Sequence, residues 1–208
     1  IDYLECEGYV IIKNALTANE ATKTLDLLWD YLENLGTGID RTNPLTWSDD
    51  KWPTCAHGGI IPSYGIGHSE AQWFVRGVPN VKKAFAKVWE TDDLLTSFDG
   101  VSLWRPWNID PSWKTQSGQA WFHIDQHPIS KPGKQCIQGL INLLPTSKEI
   151  GGNVVIPKSH NFFKDIPEEY KERVERLPLD IDHFRFPHDD PKLSSEPAVM
   201  AHMEPGDM

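Results

Sequence analysis

The sequence predicts a mainly β protein with flanking helices, and two observations lead to that class. The second half of the chain holds five apolar runs of strand length, which Pro- and Gly-bearing turns separate. This texture is typical of an antiparallel sandwich or barrel and differs from the regular βα alternation of a parallel sheet. The first half carries helical periodicity instead. The five predicted strands are 96–105, 120–125, 136–144, 153–157 and 198–204.

The first predicted element of the chain is a short strand at 9–12, because the run there is apolar and β-branched. A helix is predicted to follow. Thr17 and Glu20 have the spacing of a capping box, and apolar residues recur at helical spacing as far as Gly36. This helix, like the second helix predicted at 81–89, is expected to serve packing rather than chemistry.

Two further stretches show little strand character. Residues 36–67 are rich in Gly, Pro, Asp, Ser and Thr, which predicts a long irregular segment of the kind that often covers a site. A second helix is predicted at 81–89, with Asn80 as its cap and one apolar stripe. Residues 161–197 read as a polar insertion between strands, with a short helix near 168–176.

The chain length fits one compact unit. With 208 residues, of which 39% are hydrophobic, we predict a single domain, with 1–95 as a helical and loop annex and 96–208 as the core. The sequence starts at Ile1 without a Met, and 204–208 reads as a turn that leads into a further strand. We therefore expect both ends to be cut edges and the core to lack its last strands.

The charge balance disfavours several classes of partner. The chain has 20 Lys and Arg against 30 Asp and Glu, and no basic run. This argues against nucleic acid or an anionic membrane and leaves a small-molecule substrate as the expected partner. No apolar stretch approaches the roughly 20 residues of a membrane span. The three cysteines, Cys6, Cys55 and Cys136, form no CxxC pair, which favours a reducing, intracellular and cytoplasmic location.

The chemistry-bearing motif is His123-Ile124-Asp125 on a predicted strand. Residues two apart on a strand point to the same face, with Cα atoms about 6.6 Å apart. An imidazole and a carboxylate at that spacing can bind one cation as adjacent ligands. They would supply two of the three ligands of the 2-His-1-carboxylate triad of non-haem Fe(II) oxygenases. By itself the pattern also arises by chance, as a surface or hydrogen-bonded pair.

Aromatic residues concentrate just before this motif, and we predict that Trp121 and His127 line a substrate pocket. His127 shares the face of His123 but lies about 13 Å away on an extended strand, so both cannot bind one ion. A rim position for His127 and ordinary core packing for the tryptophans are the alternatives. The clustered tryptophans are Trp104, Trp107, Trp113 and Trp121.

The context of His123 and Asp125 makes the motif specific. A Gly-Leu-Ile-Asn-Leu-Leu run occupies 139–144, and Gly-Gly-Asn-Val-Val-Ile-Pro-Lys-Ser-His occupies 151–160. With the opening Glu-Gly-Tyr-Val-Ile-Ile at 7–12, this pattern resembles the phytanoyl-CoA dioxygenase family, whose members pair a His-x-Asp with a downstream Gly-Gly and Pro-x-Ser/Thr-His segment. The resemblance covers nearly the whole chain.

The resemblance implies a double-stranded β-helix core, a cupin-like jelly roll, and an Fe(II)- and 2-oxoglutarate-dependent dioxygenase. Such an enzyme uses O2 to hydroxylate an unactivated C–H bond of a small molecule and releases succinate and CO2. His123 and Asp125 take the positions of metal ligands and catalytic residues. The second His ligand, and the basic residue that holds the distal carboxylate of 2-oxoglutarate, are implied beyond Met208. A carboxylate at Asp125 favours oxygenation over halogenation.

By the same resemblance, Ser102, Trp104 and Leu140 flank the cosubstrate, with core packing as the alternative. Gln138 and Asn142 share the strand parity of Leu140, so all three are expected to face the same side. His160 matches the family's structural Ser-His, and His202 precedes the turn that the family's ligand follows.

Two functions from other classes stay open at this stage. A non-catalytic cupin-like binding module could retain the His-x-Asp by ancestry. A Zn(II) hydrolase is the other, since zinc accepts the same ligands. The sequence does not identify the substrate among acyl-CoAs, amino acids and secondary metabolites.

Overall fold

The computed structural model describes residues 1–114, 121–187, 190–194 and 197–208. Residue 120 of a predicted strand, and residues 188–189 and 195–196 of the predicted insertion, lie outside this set. Within it no helix is both long and apolar enough to cross a bilayer. The α-helices are Asp2–Glu7 (α1), Ala18–Glu33 (α2), Glu70–Gly77 (α3), Pro79–Trp89 (α4), Ile166–Glu169 (α5), Lys171–Glu175 (α6) and Pro191–Ser194 (α7). Short 3-10 helices lie at Pro44–Thr46, Ile66–His68, Pro111–Trp113 and Ser159–Asp165.

The strands of the described residues are each two residues long and form three separate antiparallel pairs. β1 pairs with β2, β3 with β5 and β4 with β6. The strands are Ile60–Ile61 (β1), Val101–Ser102 (β2), His123–Ile124 (β3), Val154–Val155 (β4), Phe184–Arg185 (β5) and Val199–Met200 (β6).

The predicted mainly β class, with a double-stranded β-helix core, is therefore wrong. Of the structure, 35% is helical and 8% is strand, and the two-stranded pairs do not join into a jelly roll within the described residues. Four of the predicted strands do contain a paired dipeptide. The run at 136–144 contains none, and its Leu140 and Leu144 are exposed, as is Val154 of β4. Exposed apolar side chains give a strand pair no buried face to pack on, and an isolated two-stranded pair is only marginally stable.

The backbone of the predicted strand at 136–144 forms isolated hydrogen bonds rather than a continuous ladder. Asn142 N donates to the carbonyl of Asp207, and Gly206 N donates to the carbonyl of Asn142, so this run pairs with the 203–208 stretch at isolated points. The predicted strand at 9–12 is also wrong. Helix α1 precedes it, and Ile12 exchanges two backbone hydrogen bonds with Met208, at 2.8 and 3.0 Å.

The helix predictions are largely correct. α2 begins at Ala18 behind a complete capping box between Thr17 and Glu20, and it ends three residues before Gly36. α4 extends over Pro79–Trp89, but its N-cap is Val78 rather than Asn80. Pro79 takes the first helical position, where its missing N–H costs nothing. Helix α3 was not predicted, although Ser69 caps it by accepting from Gln72 N.

The chain divides into two compact units. The first comprises Ile1–Ile11, Ser117–Leu140 and Gly151–His202, and the second comprises Ile12–Gln116, Ile141–Ile150 and Met203–Met208. The single-domain assignment, with its boundary at 95, stays a prediction. The core of the first unit is formed by Ile166, Val174 and Phe184. The second unit has two buried apolar clusters. One consists of Ala15, Leu16, Ala21, Val78 and Val81, and the other of Leu32, Ile39 and Trp52.

Candidate functional site

Strand β3 of the first unit determines where His123 points. Ile124 packs against the core residue Phe184, which is also its partner across the β3–β5 pair. Adjacent residues of a strand point to opposite faces. His123 therefore points away from this core, and its half-buried side chain remains accessible to a ligand.

The side chains of His123 and Asp125 converge. Nε2 of His123 lies 3.4 Å from Oδ1 of Asp125. Metal–nitrogen and metal–oxygen bonds of about 2.0–2.2 Å at a right angle place two adjacent donors about 3 Å apart. The pair is therefore close to the spacing that one bound ion requires, and its donor set of imidazole and carboxylate is the one that non-haem iron accepts.

Hydrogen bonding fixes the orientation of the imidazole. Nδ1 of His123 lies 3.1 Å from the carbonyl oxygen of Trp121, so a proton on Nδ1 is donated there. In that tautomer the lone pair of Nε2 faces Asp125, as a metal ligand requires. The indole of Trp121 also stacks on the imidazole.

The two groups also shift each other's protonation. The hydrogen bond to Asp125 raises the pKa of His123, against the opposing effect of burial. The same bond, together with one from Gln138, lowers the pKa of Asp125 despite burial. Each group therefore stabilises the charged form of the other.

Gln138 completes the environment of Asp125. Its Nε2 donates to Oδ2 of Asp125 at 2.9 Å. The sequence placed Gln138 on the same side as Leu140 by parity but gave it no role, since a lone glutamine carries no motif. Leu140 itself is 40% exposed.

His127 is fully buried. Its Nδ1 accepts the backbone N–H groups of Ile129 and Ser130, at 3.1 and 3.0 Å, which leaves the proton of a neutral ring on Nε2. Nε2 is buried without a hydrogen-bond partner among the described residues. In the structure the ring thus lies inside the first unit rather than on an open pocket wall.

The remaining residues that the sequence singled out have contacts of their own. Ser102 and Trp104 belong to the second unit, where Ser102 pairs with Ile60 and the Trp104 ring lies so close to Gly59 that a Cβ there would meet it at 2.3 Å. His160 contacts helix α1, because its Nε2 lies 3.0 Å from the carbonyl oxygen of Glu5.

His123 and Asp125 are two side chains of the types that ligate metal ions. No third His, Cys, Asp or Glu joins them to form a cluster within the described ranges. The residues present fit the ligand set that the family implies, as an adjacent imidazole and carboxylate.

Comparisons with known proteins give two informative relatives. The chain is 33% identical to "Ava biosynthesis cluster protein O" of Aspergillus versicolor over 89% of this chain and 58% of that protein. It is 26% identical to "Putative phytanoyl-CoA dioxygenase" of Dictyostelium discoideum over 79% of this chain and 56% of that protein. The chain thus spans a little over half the length of these relatives. No protein-family model and no solved structure matches it.

Proposed function

We propose, from the relationship of this chain to the phytanoyl-CoA dioxygenase family, that the protein is an Fe(II)- and 2-oxoglutarate-dependent dioxygenase. Its reaction hydroxylates an unactivated C–H bond of a small molecule and releases succinate and CO2. The observation that carries this proposal is the 3.4 Å approach of His123 Nε2 to Asp125 Oδ1, because it pairs the two donors that the family motif requires.

In this proposal His123 and Asp125 hold the iron as adjacent ligands. Fe(II), when bound there, would supply the redox chemistry of the reaction with 2-oxoglutarate and O2. The protein's part is to bind and orient the reactants. The carbonyl of Trp121 keeps the proton of His123 on Nδ1 and so presents Nε2 as a ligand.

Other residues have proposed roles around this pair. Trp121 stacks on His123, so its ring is available as an apolar wall for substrate beside the metal. His127 is fully buried and accepts two backbone hydrogen bonds, so its role here is to hold the turn that follows it. Leu140, of the same unit as His123, is proposed to contact 2-oxoglutarate.

Succinate production tests the proposal. The protein is incubated in air with Fe(II) and 2-oxoglutarate, and succinate is measured by mass spectrometry. We expect succinate to form only with Fe(II), and the variants His123→Ala and Asp125→Ala to fall to background. His68→Ala, an exposed histidine of the second unit, is the matched control and should keep the wild-type level. Failure of the wild type to form succinate, or full formation by either site variant, contradicts the proposal.

A further inference from the structure

The two carboxylate oxygens of Asp125 have different partners in the first unit. Oδ1 lies 3.4 Å from His123 Nε2, whereas Oδ2 accepts a hydrogen bond from Gln138 Nε2 at 2.9 Å. From this division we propose that Gln138 is a positioning residue that makes Asp125 a one-oxygen ligand. Its amide keeps Oδ2 occupied and leaves Oδ1 for the metal. The inference rests on the proposed function.

The number of coordination positions explains why this restriction matters. A carboxylate can bind a cation through one oxygen or through both. An octahedral ion with a 2-His-1-carboxylate triad has three protein ligands and three open positions. A keto acid that chelates through two oxygens fills two of these positions and leaves one for O2. If Asp125 bound through both oxygens, that last position would be lost.

Hydrogen bonds within the loop between Asp125 and Gln138 bring the two ends of the loop close together. Gln126, the neighbour of Asp125, donates through Nε2 to the carbonyls of Lys131 and Gly133, each at 2.6 Å. Its Oε1 accepts the backbone N–H of Gln135 at 3.3 Å. One side chain thus ties both arms of the loop, and the contact between Gln138 and Asp125 follows from that closure.

A neutral amide suits this role. Gln138 donates one hydrogen bond and adds no charge beside the ion, whereas a lysine would neutralise the carboxylate and a glutamate would repel it. Both Asp125 and Gln138 are exposed, so water competes for Oδ2 once the amide is removed. The amide therefore controls how the carboxylate binds rather than whether the unit folds.

Cobalt titration tests this role apart from activity. Co(II) is added to the protein without oxygen, and its affinity and visible absorption are recorded for wild type, Gln138→Leu and Gln138→Glu. We expect Gln138→Leu to lose about 10- to 100-fold in affinity, the usual effect of removing a group that orients a metal ligand. We also expect the absorption of bound Co(II) to change in Gln138→Leu, as Asp125 binds through both oxygens.

The matched control is Gln135→Leu, a glutamine of the same loop whose side chain donates to the Pro132 carbonyl instead. It should bind Co(II) as the wild type does. Wild-type affinity and absorption in both Gln138 variants, with binding lost in His123→Ala, would overturn the inference and leave the proposed function standing. An equal loss in Gln135→Leu would also overturn it. No binding by the wild type would overturn both.

Discussion

The indole of Trp121 lies nearly parallel to the imidazole of His123, with ring centroids 4.6 Å apart and planes inclined by 7°. An open-shell metal ion bound at His123 therefore lies very near this indole. Such ions quench indole emission steeply with distance. Trp121 is thus a built-in reporter of the proposed metal site.

We expect Co(II) to quench part of the tryptophan fluorescence of the wild type and to quench much less in Trp121→Phe. The chain has 9 tryptophans, so the quenched part is a minority of the emission. Trp73→Phe, an exposed tryptophan of the second unit, is the control and should keep the quenching. Equal quenching in Trp121→Phe would mean that the ion binds elsewhere.

The capping box of α2 gives a stability prediction. Thr17 Oγ1 accepts from Glu20 N, and Glu20 Oε2 accepts from Thr17 N at 2.8 Å. Thr17→Ala should lower the free energy of unfolding by about 1 kcal/mol, because it leaves an N-terminal N–H group of the helix without its acceptor. Urea unfolding followed by circular dichroism measures the loss. The exposed Thr37→Ala should change little, and an equal loss there would contradict the cap's role.

This helix also shows what the sequence could predict. A capping box and helical periodicity are local signals, and α2 follows them because its bonds lie within one segment. The run at 136–144 has an equally clear local pattern, yet Asn142 bonds to Gly206 and Asp207, more than sixty positions away. Strand pairing depends on such distant partners, which periodicity does not reveal.

The candidate site divides in the same way. Spacing alone predicted that His123 and Asp125 would share a face, and the structure brings them together. The hydrogen bond from Gln138 required the loop closure by Gln126, which no motif encodes. Strand spacing did not predict the burial of His127. The chain turns after Pro128, and the ring of His127 accepts hydrogen bonds from the backbone of that turn.

His127 yields a test of that turn. Its Nδ1 is the acceptor for two backbone N–H groups, so His127→Ala leaves both unsatisfied and should cost at least about 1–3 kcal/mol of unfolding free energy. His127→Asn should cost less, since an asparagine oxygen can accept from the backbone two residues on. Urea unfolding compares the two variants. Equal losses would show that the acceptor is unimportant there.

The buried carboxylate of Asp207 is expected to make the free energy of unfolding depend on pH. It is 2% exposed and accepts from Lys13 Nζ, Asn14 N and Glu204 N. Burial acts to raise its pKa, but these hydrogen bonds outweigh burial and the pKa is lowered. Because the folded pKa lies below the unfolded value of about 3.9, the ionised group stabilises the fold above that value. The stabilisation is lost as pH falls through the folded pKa.

Asp207→Asn should therefore be less stable than the wild type at neutral pH, by about 1–3 kcal/mol, and the difference should shrink in acid. Urea unfolding across a series of pH values measures it. Asp93→Asn, an exposed aspartate of the same unit, should show no such trend. A constant difference between Asp207→Asn and wild type at all pH values would contradict the assignment.

The most direct test of the metal site is anaerobic addition of Fe(II) and then 2-oxoglutarate, with the visible spectrum recorded. If His123 and Asp125 share one ferrous ion, the wild type develops the weak charge-transfer band of an iron–keto acid chelate. His123→Ala and Asp125→Ala then show none. An undiminished band in either variant would contradict the claim that its side chain is a ligand.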